Sequence, residues 1–501
     1  MAVVPVPRSE LIATSRAPAA DVSGAARRIE AAVPAGVLRL LERLWGHGHA
    51  AYVVGGSLRD ALMGRDAADW DLATSARPDQ VQALFPDARY ENRFGTVGVP
   101  DDTGCDHEIT TFRDEHDYAD FRRPHRVEFG NSIERDLGRR DFTVNALAWG
   151  RDADEPGPHL IDPFGGLGDI VERRLRTVGE PAARFGEDAL RMLRAVRLAA
   201  ALGFDIEPAT LDAIRHAAPL AVHLSGERIA AELLRLLRAP RPSVGLRLAG
   251  DSGLLRAVLP ELAAQRGIGQ NKVAGEDLWH HTLRTVDAAP PGDAIRLAAL
   301  LHDVGKPSTA ADGHFHGHDA VGAAMAEALL RRLHLPRPLI DAVAHLVRLH
   351  MFGYERSWSD AAVRRFVAKV GPDDVHDLLA LRRADNVGSG LPPNAGRLDE
   401  LAERVDRVLT EPLVLDRHAL AVNGRDLMDE AGYRPGRVLG RVIDRLVERV
   451  VEDPSLNDRA TLLRLARAMR ANAERVDAER HASRPGDRPA IARRPDRDAV
   501  T

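Results

Sequence analysis

The sequence predicts an α+β head, a small mixed sheet with helices, followed by an all-α remainder. Three observations predict it. From about residue 35 to 180, short apolar runs alternate with turns and helical stretches. From Asp188 onward the pattern changes, with Leu190, Leu193, Val196, Arg197 and Ala200 at helical spacing. Most segments from there to about 470 read as helices broken by Pro and Gly, with no fixed-period repeat.

Taken in order, residues 1–28 are rich in Ala, Pro and Ser and read as a flexible tail. They lack the basic stretch and continuous apolar core of a secretory signal. Strands are expected at 51–54, 69–73, 96–99, 107–112 and 144–149. Residues 471–501 hold Arg, Ala, Asp and Pro with almost no large apolar side chain, and are expected to be disordered.

Composition narrows the class. The chain has 501 residues, 44% hydrophobic and 29% charged, which suits a soluble protein of several domains. It has no run of about 18 apolar residues, so no membrane span is expected. A single cysteine, Cys105, excludes an internal disulfide and suits a reducing cytoplasm. The net charge of −5 argues against a uniformly basic nucleic-acid coat but allows a local basic cleft. Only Lys272, Lys306 and Lys369 are lysines; the other 66 basic residues are arginines. With abundant Ala this suggests coding bias, so arginine richness alone says little about nucleic acid.

The chemistry starts at Val53-Val54-Gly55-Gly56-Ser57-Leu58-Arg59-Asp60, followed by Asp69-Trp70-Asp71. Ala51 to Val54 reads as a buried strand, and the glycines allow a tight turn and close approach to a ligand. A helix beginning near Ser57 would aim free N–H groups at an anion over that turn. On a strand, Asp69 and Asp71 would point to one face. Two hard oxygen ligands beside a phosphate site suit Mg²⁺-dependent phosphoryl chemistry. Each motif alone is also an ordinary turn or a solvated strand edge; their order and proximity favour the functional reading.

Further candidates follow. Glu108, sharing a strand face with Thr110 and Phe112, is either a third acid near the metals or an exposed edge acid. Arg139-Arg140-Asp141 with Asn145 is either a triphosphate and ribose site or a solvated charge cluster at the start of a strand. Asp188 and Arg191, three apart where the first long helix is expected to begin, are either a capping acid with a surface ion pair or an acceptor and donor matching a base's Watson–Crick edge.

At this point the residues resemble class II tRNA nucleotidyltransferases, the CCA-adding enzymes, and their relatives the bacterial poly(A) polymerases. The resemblance runs in order through Gly55–Asp60 with Asp69 and Asp71, Glu108–Arg113, Arg139–Ala146, Asp162–Gly166, Glu187–Arg191, and Ser225–Ile229 with Glu232. It implies a nucleotidyltransferase head at 29–180 and a helical neck at 181–268 that selects nucleotides and binds RNA. Asp69 and Asp71 would hold catalytic Mg²⁺, with Glu108 among the catalytic acids. Gly55, Gly56, Ser57, Arg59, Arg140, Asp141, Asn145 and Arg194 would contact the nucleotide, and Asp188 and Arg191 would read ATP and CTP. Asp162 to Gly166 would be a hinge, while Glu227 and Arg228 would stabilise the neck. Asp114 to Pro124 resembles the flexible loop of complete CCA-adding enzymes.

In the second half, His281, His302-Asp303, His318-Asp319, His350 and Asp385 lie in helical stretches. Adjacent His-Asp on a buried helix is costly unless satisfied, and bundles bind metals with ligands from separate helices. Leu300-Leu301-His302-Asp303-Val304-Gly305-Lys306-Pro307 resembles the HD-domain signature. The resemblance implies an HD domain at 269–400 and a helical body or tail at 401–470 that grips the tRNA elbow. Its metal, a divalent transition ion or Mg²⁺, would sit on His281, His302, Asp303 and Asp385, with His318 and His350 as further candidates. A hydrogen-bonded core cluster is the alternative.

The leading expectation is template-independent addition or repair of the tRNA 3′-terminal CCA from CTP and ATP, releasing pyrophosphate. The rival within the class is a poly(A) polymerase or A-adding enzyme. The rival from another class is an HD metal-dependent phosphohydrolase with an RNA-binding head. Expected partners are tRNA, ATP and CTP, without a membrane, in the cytoplasm.

Overall fold

The structure, a computed structural model, describes residues 19–67, 69–92, 95–118, 124–270, 272–410 and 417–482. The chain divides into two compact units, Met1–Met351 with Ala380–Pro393, and Phe352–Leu379 with Asn394–Thr501.

Nine strands organise the head: β1 Ala51–Val54, β2 Asp71–Thr74, β3 Arg89–Asn92, β4 Thr96–Pro100, β5 Asp106–Thr111, β6 Arg113–Tyr118, β7 Pro124–Phe129, β8 Ala148–Arg151 and β9 His159–Ile161. Seven form one sheet in the order β3-β4-β5-β2-β1-β8-β9. Only the β2–β5 pair is parallel; the other neighbours are antiparallel. The expected small mixed sheet is therefore present. Strand β1 is central and buried along its whole length, which is why its sequence is a continuous apolar run rather than an alternation. On one face Tyr52, Val54, Ala73, Phe112 and Ala148 pack with Ile133 and Leu137 of the helix Ile133–Gly138.

Several boundaries differ from expectation. Strand β2 starts at Asp71, so Asp69 precedes the strand instead of lying on it. Residues Thr143–Asn145 form a 3-10 turn ahead of β8, because Asp141 and Asn145 bond to each other there and bend the chain. A helix fills Ala19–Ala32, inside the stretch expected as a tail, with Ala25 and Ile29 fully buried. Helix Arg459–Ala482 likewise runs into the expected C-terminal tail; residues 483–501 lie outside the described residues. Strands β6 and β7 pair as a hairpin where the flexible loop was expected, and its residues 119–123 also lie outside the described residues.

After the sheet the chain is helical. Helices Leu190–Leu202 and Gly226–Leu237 form the neck with Pro242–Asp251. Gly245 permits that packing: a Cβ there would stand 2.6 Å from the Val196 carbonyl oxygen. The second unit has its own core, with Leu427, Leu446, Leu462 and Ala466 buried and the Tyr433 hydroxyl donating to the Ala466 carbonyl at 2.8 Å. Helix Gly424–Ala431 opens with a capping box in which Asn423 and Asp426 satisfy each other's backbone N–H. Among the described residues, no helix is long and apolar enough to cross a membrane.

Candidate active site and metal centre

One cleft of about 720 Å³ gathers most of the predicted head residues. Gly55, Gly56, Ser57, Arg59, Asp69, Asp71, Arg140, Asp141, Asn145, Asp188, Arg191 and Arg194 all line it. Its floor is the turn after β1. Gly55 has φ +83°, and a Cβ there would lie 3.1 Å from the Arg140 guanidinium and 3.7 Å from Asp71 Oδ2, so only glycine suits it. The helix Gly56–Leu62 begins at once with no side-chain cap, leaving its first N–H groups toward the cleft. Ser57 Oγ is buried without a partner, an orphaned group suited to a phosphate oxygen.

Asp69 and Asp71 are both exposed. Although Asp71 reaches solvent, desolvation by its cleft neighbours pushes its carboxyl above the ordinary range, Arg140 opposes this, and Asp69 adds to it. Two carboxylates with one nearby guanidinium leave a deficit of positive charge, which a divalent cation with hard oxygen ligands would fill. Extending the register that pairs Leu72 with Ile109 sets Glu108 level with Asp71 on the neighbouring strand. Glu108 is exposed and is absent from the cleft lining.

Arginines wall the opposite side, each held by acids. Arg59 donates 2.6 Å to Asn145 Oδ1 and forks onto Asp60. Arg140 sits 3.4 Å from Asp136, and its Nε is buried without a partner. Asp141 accepts from the Phe142 N–H, from Asn145 Nδ2 and, at 2.6 Å, from Arg194 Nε. Burial would raise the Asp141 carboxyl, but Arg194, Asn145 and the backbone bond outweigh it and hold it down at about 2. Arg197 pairs with buried Glu232 at 2.5 Å. Sequence reading did not assign Arg197 to the site, although Arg191, Arg194 and Arg197 at successive three-residue steps drift only slowly around one helix and could have marked it.

Asp188 and Arg191 take the first of their two expected arrangements, a capping acid and an ion pair, although the pair is with Glu187 and the ion-paired arginine faces the cleft. Asp188 is extended (φ −146°, ψ 106°) and ends the helix Pro181–Glu187; the next helix starts at Leu190. Its carboxylate accepts the free Leu190 N–H, the better use of an acid at a helix start. Its other oxygen accepts from Arg228 at 2.7 Å. Arg228, expected only to stabilise the neck, lines the cleft. Arg191 pairs with Glu187 at 2.5 Å and donates to the Arg139 carbonyl at 2.9 Å. At the expected hinge, Asp162 accepts the N–H groups of Gly166 and Leu167.

The second half converges on a separate buried cluster. His281, His302 and Asp385 face one another, as do Asp303, His318 and His350. Asp303 joins the two groups: Oδ2 lies 3.1 Å from His302 and 3.3 Å from His281, and Oδ1 lies 3.3 Å from His318. The Nδ1 atoms of His302, His318 and His350 meet the carbonyls of Ala299, Phe315 and Val347. A carbonyl only accepts, so each Nδ1 carries the proton and a neutral ring turns its Nε2 lone pair inward. Yet His318 and His350 Nε2 are 3.3 Å apart, and His281 and His302 Nε2 are 3.0 Å apart. The facing His318 and His350 lone pairs beside Asp303 fit a cation between them, whereas His281 Nδ1 meets no partner, so its Nε2 can either donate to His302 or turn a lone pair inward. Burial lowers His281 and His350, keeping them neutral. Burial would raise Asp303, but the surrounding histidines hold it well below the ordinary carboxylate range.

The sheet with its glycine turn, paired acids and arginine wall defines the class, a nucleotidyltransferase. Three sequence profiles match in order: the Poly A polymerase head domain over 51–176, the RNA and SrmB-binding site of polymerase A over 203–266, and tRNA nucleotidyltransferase domain 2 over 319–466. The CCA-adding enzyme of Geobacillus stearothermophilus is 36% identical over 401 residues, 80% of this chain and 88% of its own length. That of Streptococcus thermophilus is 33% identical over 438 residues, 86% of this chain and 96% of its own. The crystal structure of Bacillus stearothermophilus CCA-adding enzyme in complex with CTP aligns with TM-score 0.68 at 32% identity, covering 88% of this chain and 98% of that one. The chain belongs to the CCA-adding enzyme family and is a tRNA nucleotidyltransferase that uses a divalent metal.

Proposed function

We propose that the head cleft adds C, C and A in order to a tRNA 3′ end from CTP and ATP, in the cytoplasm, with Mg²⁺ on Asp69 and Asp71. The observation that carries this is the convergence of those acids, the arginine wall and the Asp188 edge in one cleft. Bound there, the ions supply Lewis acidity to the primer 3′-hydroxyl and the departing pyrophosphate. Ser57 Oγ and the first N–H groups of helix Gly56–Leu62 take phosphate oxygens. Arg59, Arg140 and Arg194 spread positive charge along the triphosphate, so catalysis is chiefly positioning and electrostatics. Asp141 and Asn145 fix the arginines and face the ribose.

Base choice falls to Asp188 and Arg191. Cytosine and adenine both present an exocyclic amino donor, whereas uracil and guanine present a carbonyl there. A carboxylate held by Arg228 accepts that amino group from either base, so one site serves both nucleotides. Glu108, level with Asp71, supports the pair as a third acid. The helical segment 401–470 is assigned to the tRNA elbow.

The test is incubation of tRNA lacking its CCA end with Mg²⁺ and labelled CTP and ATP. Ordered addition that stops after C, C, A supports the reading. A growing A tail marks a poly(A) polymerase, and A on a CC end alone marks an A-adding enzyme.

The histidine–aspartate cluster favours a second reading alongside the first, a metal-dependent phosphohydrolase centre on His281, His302, Asp303 and Asp385 completed by His318 and His350. Release of phosphate that requires His302 and Asp303 but survives Asp69→Ala tests it. Phosphate release without nucleotide incorporation would leave the head as an RNA-binding platform.

A further inference from the structure

The histidine–aspartate cluster opens into a pocket of about 560 Å³ whose other wall is cationic. Lys272, Lys306 and Arg382 line it, facing Asp303 and Asp385. Three cations against two carboxylates leave one positive charge before any metal enters, and a divalent ion would raise that to three. Such a pocket calls for an anion of more than one charge.

The cations are not equivalent. Lys306 is committed, with Nζ 2.6 Å from Asp303 Oδ2 and 3.1 Å from Gln270 Oε1. Arg382 is committed to Asp385 at 2.8 Å. Lys272 Nζ stands 3.7 Å from Asp385 Oδ1, too far for a hydrogen bond, with its side chain about one-third exposed. A second observation lies on the same loop. Lys306 can only donate, so it fixes the Gln270 amide with Oε1 toward it. That leaves Gln270 Nε2 buried without a partner. An orphaned buried donor is costly and needs an acceptor. Two of the chain's three lysines meet here among 66 arginines. A compact ammonium, unlike a wide guanidinium fork, fits beside an amide against a single oxyanion.

We infer that Gln270 Nε2 and Lys272 Nζ form the phosphate-positioning cradle of this pocket, holding the phosphoryl oxygens of a phosphomonoester dianion against the histidine side. The inference rests on the phosphohydrolase reading of that pocket, and both residues act by positioning.

The test is calorimetric binding of orthophosphate to the full chain, metal-free and Mn²⁺-loaded, with metal content measured in parallel. Wild-type protein is expected to bind phosphate. Lys272→Met and Gln270→Met should each weaken it about tenfold or more. Lys272→Arg, which keeps the charge but not the compact shape, should recover only part of the Lys272 loss, with unchanged metal content and thermal unfolding. Unchanged phosphate affinity in both methionine variants overturns the inference, as does phosphate that binds neither form of the wild type. Loss of affinity together with loss of metal also overturns it, because the residues would then act on the metal centre. Phosphate binding to metal-free protein with the same dependence on Lys272 and Gln270 keeps the cradle, while failure of the wild type to take up metal defeats the phosphohydrolase reading alone.

Discussion

The head cleft and the histidine–aspartate pocket gather side chains of metal-ligand type in opposite ways. The head offers two exposed carboxylates and a wall of arginines. The other centre offers four buried histidines and two buried aspartates, three of the rings locked by backbone carbonyls. An exposed pair of acids leaves coordination positions for phosphate oxygens and water, so its ions can arrive with the nucleotide. A buried set with fixed lone pairs supplies nearly the whole shell from protein and suits a resident ion.

The comparison breaks most sharply at Asp71. Asp71→Asn should lower incorporation of labelled CTP by about 10³-fold or more, because the metal loses a charged ligand. The same protein should keep its full metal content after dialysis. If both fall together, the two centres are not independent.

The converse variant is Asp303→Asn. Dialysed protein should lose its bound metal and unfold at lower temperature, by about 3–5 kcal/mol, as Lys306 and the histidines lose their shared anion. Nucleotide incorporation at 25 °C should remain. Retained metal would assign the site to other ligands.

Arg194→Met strands the buried Asp141 carboxylate. It should destabilise the head by about 2–4 kcal/mol in denaturant unfolding and weaken nucleotide binding. A neutral effect would show that Asn145 and the backbone suffice to hold Asp141.

Fidelity should shift more gently. Arg228→Met releases one side of Asp188 and should raise misincorporation of UTP about tenfold relative to CTP, read by competition between labelled nucleotides. Equal discrimination would remove Asp188 from base choice.

A further effect is with pH. Asp141 titrates at about 2 when folded, below its ordinary 3.8. Its contribution, about 2 kcal/mol, is complete above the unfolded value and is lost as pH falls through about 2. Arg194→Met should flatten that part of the stability curve.

Much of the head was legible because its chemistry is local. Gly55, Gly56, Asp69 and Asp71 lie within one strand-turn-helix-strand passage, where spacing fixes geometry. Strand β1 was readable from an unbroken apolar run. The capping role of Asp188 was legible as one of two alternatives, because an acid at a helix start accepts a free N–H, here that of Leu190. That Arg228 also lines the cleft was not legible because its partner Asp188 is forty residues away. The N-terminal helix was missed because its Ala-rich sequence carries little periodic signal until Ala25 and Ile29 find a core.

The sequence by itself determined the class of reaction, the α+β head with its helical remainder, and the residue types gathered at both clusters. Those depend on residue chemistry and short-range periodicity. Tertiary structure decided which acids hold which arginines, that Asp303 joins two groups of histidines, and that Gln270 Nε2 is left without a partner. Those depend on contacts between distant segments, whose geometry follows from packing and burial rather than from local sequence.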